Sequence, residues 1–157
     1  MILVTSAAGN QGQRLIPKLL TLGLPVRACV RTERSAAVLR DQGLQQVMAG
    51  DLANPAFVDL AVRGVTSVYH VGPTLHPAER AIGFAMVDAA RAAGAEHFVF
   101  SSVLHAITTD LIQHEIKRDI EEHLLSSGLE FTILQPANYM LPHRLRAAFI
   151  EGVFRLS

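Results

Sequence analysis

Short apolar runs alternate with longer amphipathic stretches along most of the chain. The short runs are almost continuously apolar, a pattern typical of strands that are buried on both faces of a sheet. The six predicted strands are Ile2–Thr5, Val26–Val30, Gln46–Ala49, Ser67–Val71, His97–Ser101 and Phe131–Leu134.

The stretches between these runs have the composition and spacing of helices. The five predicted helices are Gln11–Leu22, Ser35–Gln42, Pro55–Val62, Pro77–Ala93 and Asp110–Ser126. A glycine follows each of them closely, where helices often end on a left-handed residue: Gly23, Gly43, Gly64, Gly94 and Gly128. Asn54 before Pro55 predicts a helix N-cap followed by a first-turn proline.

Six strands separated by five helices predict an α/β protein with a three-layer, doubly wound parallel sheet. Parallel strands must be joined by crossover connections, and helices supply them here. A length of 157 residues is ordinary for one domain, and no linker or internal repeat divides the sequence. We therefore interpret residues 1–157 as a single domain.

The charge balance, the apolar stretches and the single cysteine limit which partners and which cellular compartment we expect. Fourteen basic residues balance fourteen acidic ones, so no overall field attracts nucleic acid or a membrane surface. No apolar stretch is long enough to span a bilayer, and the N-terminus lacks the basic start of a secretory signal. The single cysteine, Cys29, is compatible with a reducing compartment. We expect a soluble, cytoplasmic protein that binds neither nucleic acid nor membrane.

The first strand leads into the turn Ser6-Ala-Ala-Gly9-Asn-Gln-Gly12, which opens the first helix. This is the context of a dinucleotide-binding fingerprint, in which backbone N–H groups at the helix start meet a pyrophosphate. Gly9 and Gly12 permit close approach, whereas Ser6 stands where glycine is usual and has poorer access to positive φ. An ordinary strand–helix connection remains the alternative.

The second predicted strand ends at Arg31. A guanidinium at this place suits the 2′-phosphate of NADP(H), which it can grip with two hydrogen bonds. Glu33 could instead hold the ribose hydroxyl of NAD(H), and these charges could also merely coat a helix start together with Arg34. We favour NADP(H) over NAD(H).

Several longer motifs occur in one order: VTSAAGNQG, VRACVR, AGDL, VDAARAAGAEHFVFSSV and HEIKRDIEEHLLSSGLEFTILQPANYM. Together they resemble the NmrA-like family of atypical short-chain dehydrogenase/reductases over nearly the whole chain. The resemblance implies a Rossmann fold with strand order 3-2-1-4-5-6 that binds NAD(P)(H). It also implies that residues 137–157 begin a C-terminal substrate lobe that is otherwise largely absent.

Two functions follow from this resemblance. One is an oxidoreductase that transfers hydride to a small carbonyl, quinone-like or conjugated acceptor. The other is a non-catalytic, dinucleotide-sensing regulator that acts through a protein partner.

The resemblance also assigns residues. It implies cofactor binding by Thr5, Ser6, Gly9, Asn10, Gln11, Gly12, Arg31, Asp51, Leu52, Gly72, Pro73, Ser101, Lys117, Pro136 and Asn138. It implies that Ser101, Ser102 and Tyr139 lie near the nicotinamide and substrate, and that Lys117 contacts the nicotinamide ribose.

The catalytic acid is less evident. Related short-chain dehydrogenases carry a tyrosine four residues before the lysine, but Gln113 occupies that position here. His114 lies three residues before Lys117, can share its helix face, and titrates in a range suited to a general acid. The alternative is a solvated helix histidine. The candidate catalytic residues are Ser101, Ser102, His114 and Lys117.

Two other possibilities concern the last predicted helix. His114-Glu115 begins a zinc motif, but Arg118 replaces the second histidine, and we expect no metal. The stripe Ile112, Ile116, Ile120 and Leu124 has helical spacing. We interpret this stripe as core, with a dimer face as the alternative, so a homo-oligomer remains open.

Overall fold

A computed structural model describes residues 1–108, 110–139, 146, 149–150 and 152. The strands are β1 Ile2–Val4, β2 Val26–Val30, β3 Gln46–Ala49, β4 Ser67–Val71, β5 His97–Ser101 and β6 Glu130–Leu134. The helices are α1 Gly12–Thr21, α2 Glu33–Asp41, α3 Pro55–Val62, α4 Glu79–Ala92 and α5 Ile112–Leu125. The strands form one parallel sheet in the order β3-β2-β1-β4-β5-β6, which confirms the predicted fold.

Helix ends follow local hydrogen bonds. The α2 helix begins two residues earlier than predicted because Thr32 caps it, with its Oγ1 accepting the N–H of Ser35 at 3.3 Å. The predicted cap of α3 is confirmed, since Asn54 Oδ1 accepts the N–H of Ala56 at 3.0 Å. The five glycines that follow the helices have positive φ, as predicted: Gly23, Gly43, Gly64, Gly94 and Gly128.

The core has two parts, one on each face of the sheet. Consecutive residues of β1 point to opposite faces, so Leu3 packs with residues of α3, α4 and α5, whereas Val4 packs with residues of α1 and α2. Ile120 and Leu124 of the α5 stripe are fully buried in the first part, while Ile112 is 61 % exposed. The C-terminal half of the stripe therefore belongs to the core, as predicted from its spacing.

The α4 and α5 helices pack closely, and this contact positions a buried ion pair described below. A Cβ at Gly83 would lie 2.5 Å from Ile120 Cδ1, so the glycine makes room for the isoleucine. Arg80 of α4 forms ion pairs with Asp119 at 2.7 Å and Glu115 at 3.0 Å on α5. Among the described helices, none has both the length and the apolar content needed to cross a membrane.

Candidate functional site

The turn between β1 and α1 presents free backbone amides. Gln11 is the N-cap of α1, makes no capping hydrogen bond with its side chain, and no acidic residue occupies the first turn. Within the described part of the chain, the N–H groups of Asn10, Gln11 and Gly12 make no hydrogen bond. Unpaired amides at a helix start favour an anion, because they donate hydrogen bonds and lie at the positive end of the helix dipole.

Gly12 allows α1 to begin directly against the end of β1. A Cβ built on Gly12 would lie 2.2 Å from the carbonyl oxygen of Ala7 and 2.6 Å from its Cα. These are backbone atoms, and Ala7 is fully buried, so neither can move aside easily. The less crowded Gly9 would place a Cβ 3.0 Å from the carbonyl oxygen of Ser6.

Ser6 adopts the conformation that usually belongs to glycine. Its φ is +48°, which costs a non-glycine residue about 1–2 kcal/mol. The Ser6 hydroxyl donates to the carbonyl oxygen of Val71 at 2.8 Å, and this hydrogen bond offsets part of that cost. The serine side chain is thereby held against the end of β4.

A first cavity of about 490 Å³ lies over the carboxyl ends of β1, β2 and β3 and beside the loop that follows β4. Open α/β sheets bind ligands at such ends, where the strand order reverses between β1 and β4. The predicted cofactor residues that line this cavity are Ser6, Gly9, Arg31, Asp51, Leu52 and Pro73. Thr32, Ser35 and His76, which were not predicted from the sequence, also line it.

The surroundings of Arg31 bear on the choice between the two dinucleotides. Arg31 lines the cavity together with the Thr32 and Ser35 hydroxyls, whose oxygens lie 3.0 Å apart. Glu33 forms an ion pair with Arg40 and is not part of the cavity lining. The part of the cavity beside Arg31 therefore offers a guanidinium and two hydroxyls, groups that can bind an anion.

Cys29 forms part of the same wall. Burial raises the pKa of its thiol to about 12, although the charge of Arg27 acts in the opposite direction. The thiol therefore remains protonated and unreactive at neutral pH.

A second cavity of about 660 Å³ lies between α1 and the segment that follows β6. Gln11, Ser101, Pro136, Asn138 and Tyr139 line it, so most of the residues expected near the nicotinamide and substrate share this space.

Gln11 is the centre of a hydrogen-bond network in the second cavity. Its Nε2 donates to Ser101 Oγ at 2.6 Å and to the Tyr139 hydroxyl, and its Oε1 accepts from the Tyr69 hydroxyl at 2.6 Å. Burial raises the pKa of Tyr69, and Tyr139 raises it further, so the Tyr69 phenol remains a donor. Tyr69 was not predicted as a site residue because it lies inside an apolar strand. Its hydroxyl group, unusual in such a strand, is the sequence feature that could have indicated it.

Lys117 lies in a buried ion pair. Its Nζ is 2.7 Å from Glu79 Oε1, and the two side chains are 7 % and 1 % exposed. Glu79 Oε2 accepts the N–H of Leu75 at 3.1 Å, and a Cβ on Gly72 would come within 3.1 Å of Lys117 Nζ. Through these contacts the ion pair connects the loop after β4 to α5. Glu79 was missed, since an acidic residue in the first turn of a helix is usually solvated.

Ser102 and His114 lie outside both cavities. Ser102 Oγ donates to the buried Glu121 carboxylate, which also accepts from Gln135 Nε2 at 2.9 and 3.0 Å. His114 is half-buried, and its Nδ1 has no hydrogen-bond partner among the described residues. Their catalytic roles remain predictions.

Thr5 ties β1 to β4 at the base of the site. It is fully buried, its Oγ1 accepts the N–H of Val71 at 2.8 Å, and it lies 3.1 Å from His70 Nδ1. These contacts hold the end of β1 against β4, and the part of Thr5 in cofactor binding remains a prediction.

His70 is fully buried beneath the site. Its ring lies 6.0 Å from that of Phe98 and 5.9 Å from that of Phe100. Burial, together with the nearby charge of Lys117, lowers the pKa of His70 to about 3. The folded protein therefore holds this imidazole neutral at every pH near neutrality.

This burial predicts an acid-sensitive stability. The unfolded chain protonates His70 near the ordinary pKa of 6.5, whereas the folded chain does not until about pH 3. The unfolded state thus binds more protons between these values, and stability falls as the pH falls below 6.5. We expect His70 to contribute a loss of about 2 kcal/mol between pH 7 and pH 5.

Urea unfolding at pH 7, 6 and 5 measures this effect. His70→Asn, which has no titrating ring, should remove that part of the pH dependence. The matched variant His105→Asn changes an exposed histidine and should retain the wild-type dependence. The same pH dependence in His70→Asn and wild type would contradict the assignment.

Comparisons with known proteins agree with this geometry. Residues 1–142 match the model of the NmrA-like family. The NAD(P)H azoreductase of Xenophilus azovorans is 34 % identical over 143 aligned residues, and the match covers 89 % of this chain and 49 % of the azoreductase.

Solved structures of related proteins are similar to this chain over most of its length. The NADPH-dependent quinone oxidoreductase QOR2 of Escherichia coli, complexed with NADPH, superposes with a TM-score of 0.81 at 27 % identity, over 96 % of this chain and 53 % of that protein. Nmra, a negative transcriptional regulator, superposes with a TM-score of 0.75 at 26 % identity, over 84 % and 44 %.

The chain spans about half the length of the relatives it matches. Its matched region nevertheless includes all of the strands β1 to β6 and the helices α1 to α5. The expected resemblance is confirmed: this chain belongs to the NmrA-like family.

Proposed function

We propose that this protein binds NADP(H) and supports hydride transfer to a small carbonyl, quinone-like or conjugated acceptor. One observation carries the proposal: the unpaired amides of Asn10, Gln11 and Gly12 directly follow Gly9, which lines the first cavity together with Arg31. Free donors at one end and a guanidinium at the other match the diphosphate and 2′-phosphate of one dinucleotide.

The residues present fit the dinucleotide along its length. The amides of the β1–α1 turn would hold the diphosphate, and Gly12 lets α1 begin directly against β1, which places these amides at the carboxyl edge of the sheet. Asp51 and Leu52, which line the first cavity, would lie beside the adenine. Arg31 would bind the 2′-phosphate, with the neighbouring Thr32 and Ser35 hydroxyls as further donors.

The relatives support the proposed chemistry. One is named as an NAD(P)H azoreductase and another as an NADPH-dependent quinone oxidoreductase. When bound, the nicotinamide supplies a hydride, and the second cavity adjoins the turn that would hold the cofactor. The acceptor is proposed as a class, because the chain spans about half of each relative.

Arg31→Ala should remove most of the preference for NADPH over NADH. A hydrogen bond to a charged group contributes about 1.5–3 kcal/mol, which corresponds to roughly 10- to 150-fold in affinity. Isothermal titration with both dinucleotides measures the ratio. The control is Arg34→Ala, an exposed basic residue outside the cavity lining, which should keep the wild-type ratio. Equal wild-type affinities for NADPH and NADH would contradict the assignment of Arg31.

A second candidate is a regulator that senses the dinucleotide and acts through a protein partner. The similarity to the transcriptional regulator Nmra favours it, as does Gln113 in place of the tyrosine of related dehydrogenases. An affinity pull-down with and without NADP(H) or NAD(H) tests this candidate. Captured partners that do not change with either dinucleotide would count against it.

A further inference from the structure

The network around Gln11 leaves two hydroxyl protons without an acceptor. The amide nitrogen of Gln11 carries two hydrogens, which are donated to Ser101 Oγ and to the Tyr139 hydroxyl. Ser101 and Tyr139 therefore act as acceptors toward Gln11. Neither hydroxyl donates its own proton to another group in the described part of the chain, and both residues line the second cavity.

Tyr69 contacts the carbonyl side of the Gln11 amide. Its phenol donates to Gln11 Oε1 at 2.6 Å, so the carbonyl side of the amide faces Tyr69 and the nitrogen side faces Ser101 and Tyr139. In this orientation Ser101 and Tyr139 both accept from the amide nitrogen of Gln11.

We propose that Ser101 and Tyr139 together donate hydrogen bonds to the oxygen of a carbonyl or quinone acceptor in the second cavity, and that Tyr139 supplies the proton to it. This inference rests on the proposed oxidoreductase function. Tyr139 would thereby act as the proton donor, the role of the tyrosine that related dehydrogenases carry where this chain has Gln113. Gln11 is a positioning residue, since it directs both hydroxyls toward the cavity.

The proton balance follows from this arrangement. Hydride from bound NADPH would add to the carbonyl carbon, or to a ring carbon conjugated with the carbonyl in a quinone, and the π electrons would pass to the carbonyl oxygen. The Tyr139 O–H bond breaks, and its proton forms the new O–H bond of the reduced acceptor. Tyr139 is 38 % exposed, so its phenolate regains a proton from water.

Binding of menadione, a quinone that only accepts hydrogen bonds, tests the inference without cofactor. One hydrogen bond contributes about 0.5–1.5 kcal/mol, so Ser101→Ala and Tyr139→Phe should each weaken menadione binding by roughly 2- to 12-fold in calorimetry. The control is Ser126→Ala, an exposed serine at the end of α5, which should bind like the wild type.

Turnover supplies the second readout. With NADPH and menadione, Tyr139→Phe should lower kcat by about 100-fold or more while the Kd for NADPH stays unchanged. Menadione affinity unchanged in both variants would overturn the inference, even where the wild type oxidises NADPH. Hydroxyl-dependent menadione binding without NADPH oxidation would contradict the oxidoreductase proposal and still support the acceptor site.

Discussion

Gly12→Ala is expected to destabilise the fold by about 3 kcal/mol or more, at or above the upper end of ordinary overpacking. The added Cβ would lie 2.2 Å from the Ala7 carbonyl oxygen, and the backbone of the turn must move to accommodate it. That movement displaces the amides proposed to hold the diphosphate. The affinity for NADPH should therefore fall by at least about tenfold.

Urea unfolding and calorimetric titration with NADPH measure the two effects. Gly9→Ala is the matched comparison, because its Cβ would lie 3.0 Å from the Ser6 carbonyl oxygen and needs only a small adjustment. It should lose less stability than Gly12→Ala. If Gly12→Ala keeps wild-type stability and affinity, α1 does not begin as close to β1 as described.

Lys117→Met should destabilise the protein by about 3–5 kcal/mol, because it leaves the Glu79 carboxylate buried without its partner. Glu79 also holds the N–H of Leu75, so the loop after β4 should loosen with it. The double variant Lys117→Met, Glu79→Gln should recover most of the loss. No uncompensated charge remains there, and the glutamine oxygen can still accept from Leu75.

Urea unfolding at neutral pH separates these variants. Lys18→Met is the control for stability, since Lys18 is exposed on α1 and should change the free energy of unfolding little. A loss below about 1 kcal/mol in Lys117→Met would show that the ion pair contributes little to the fold. The predicted contact of Lys117 with the nicotinamide ribose can then be tested only in variants shown to be folded.

The fold was predictable because its signals are local. Each buried parallel strand is an apolar run that contrasts with its neighbours, and each helix is followed by a glycine with positive φ. The start of α2 was placed too late because a threonine cap differs little from any other threonine in a loop. Recognising Thr32 as the cap required the hydrogen bond to Ser35.

The site was predictable only in part, for a physical reason. The turn and Arg31 follow strands at the carboxyl edge of the sheet, so chain order alone brings them together. The hydrogen-bond and ion-pair partners of Lys117 and Ser102 cannot be predicted from the order of the strands. Glu79 and Glu121 lie on helices, and the packing of α4, α5 and the loops buries them.

The central claim is that the amides of Asn10, Gln11 and Gly12 hold the diphosphate of a dinucleotide. Titration of 15N-labelled protein with NADP⁺, followed by amide chemical shifts, tests this most directly. Large shifts at these three amides that saturate at one dinucleotide per chain are the expected result. Saturable binding that leaves these three amides unshifted, or no binding at all, would contradict the account.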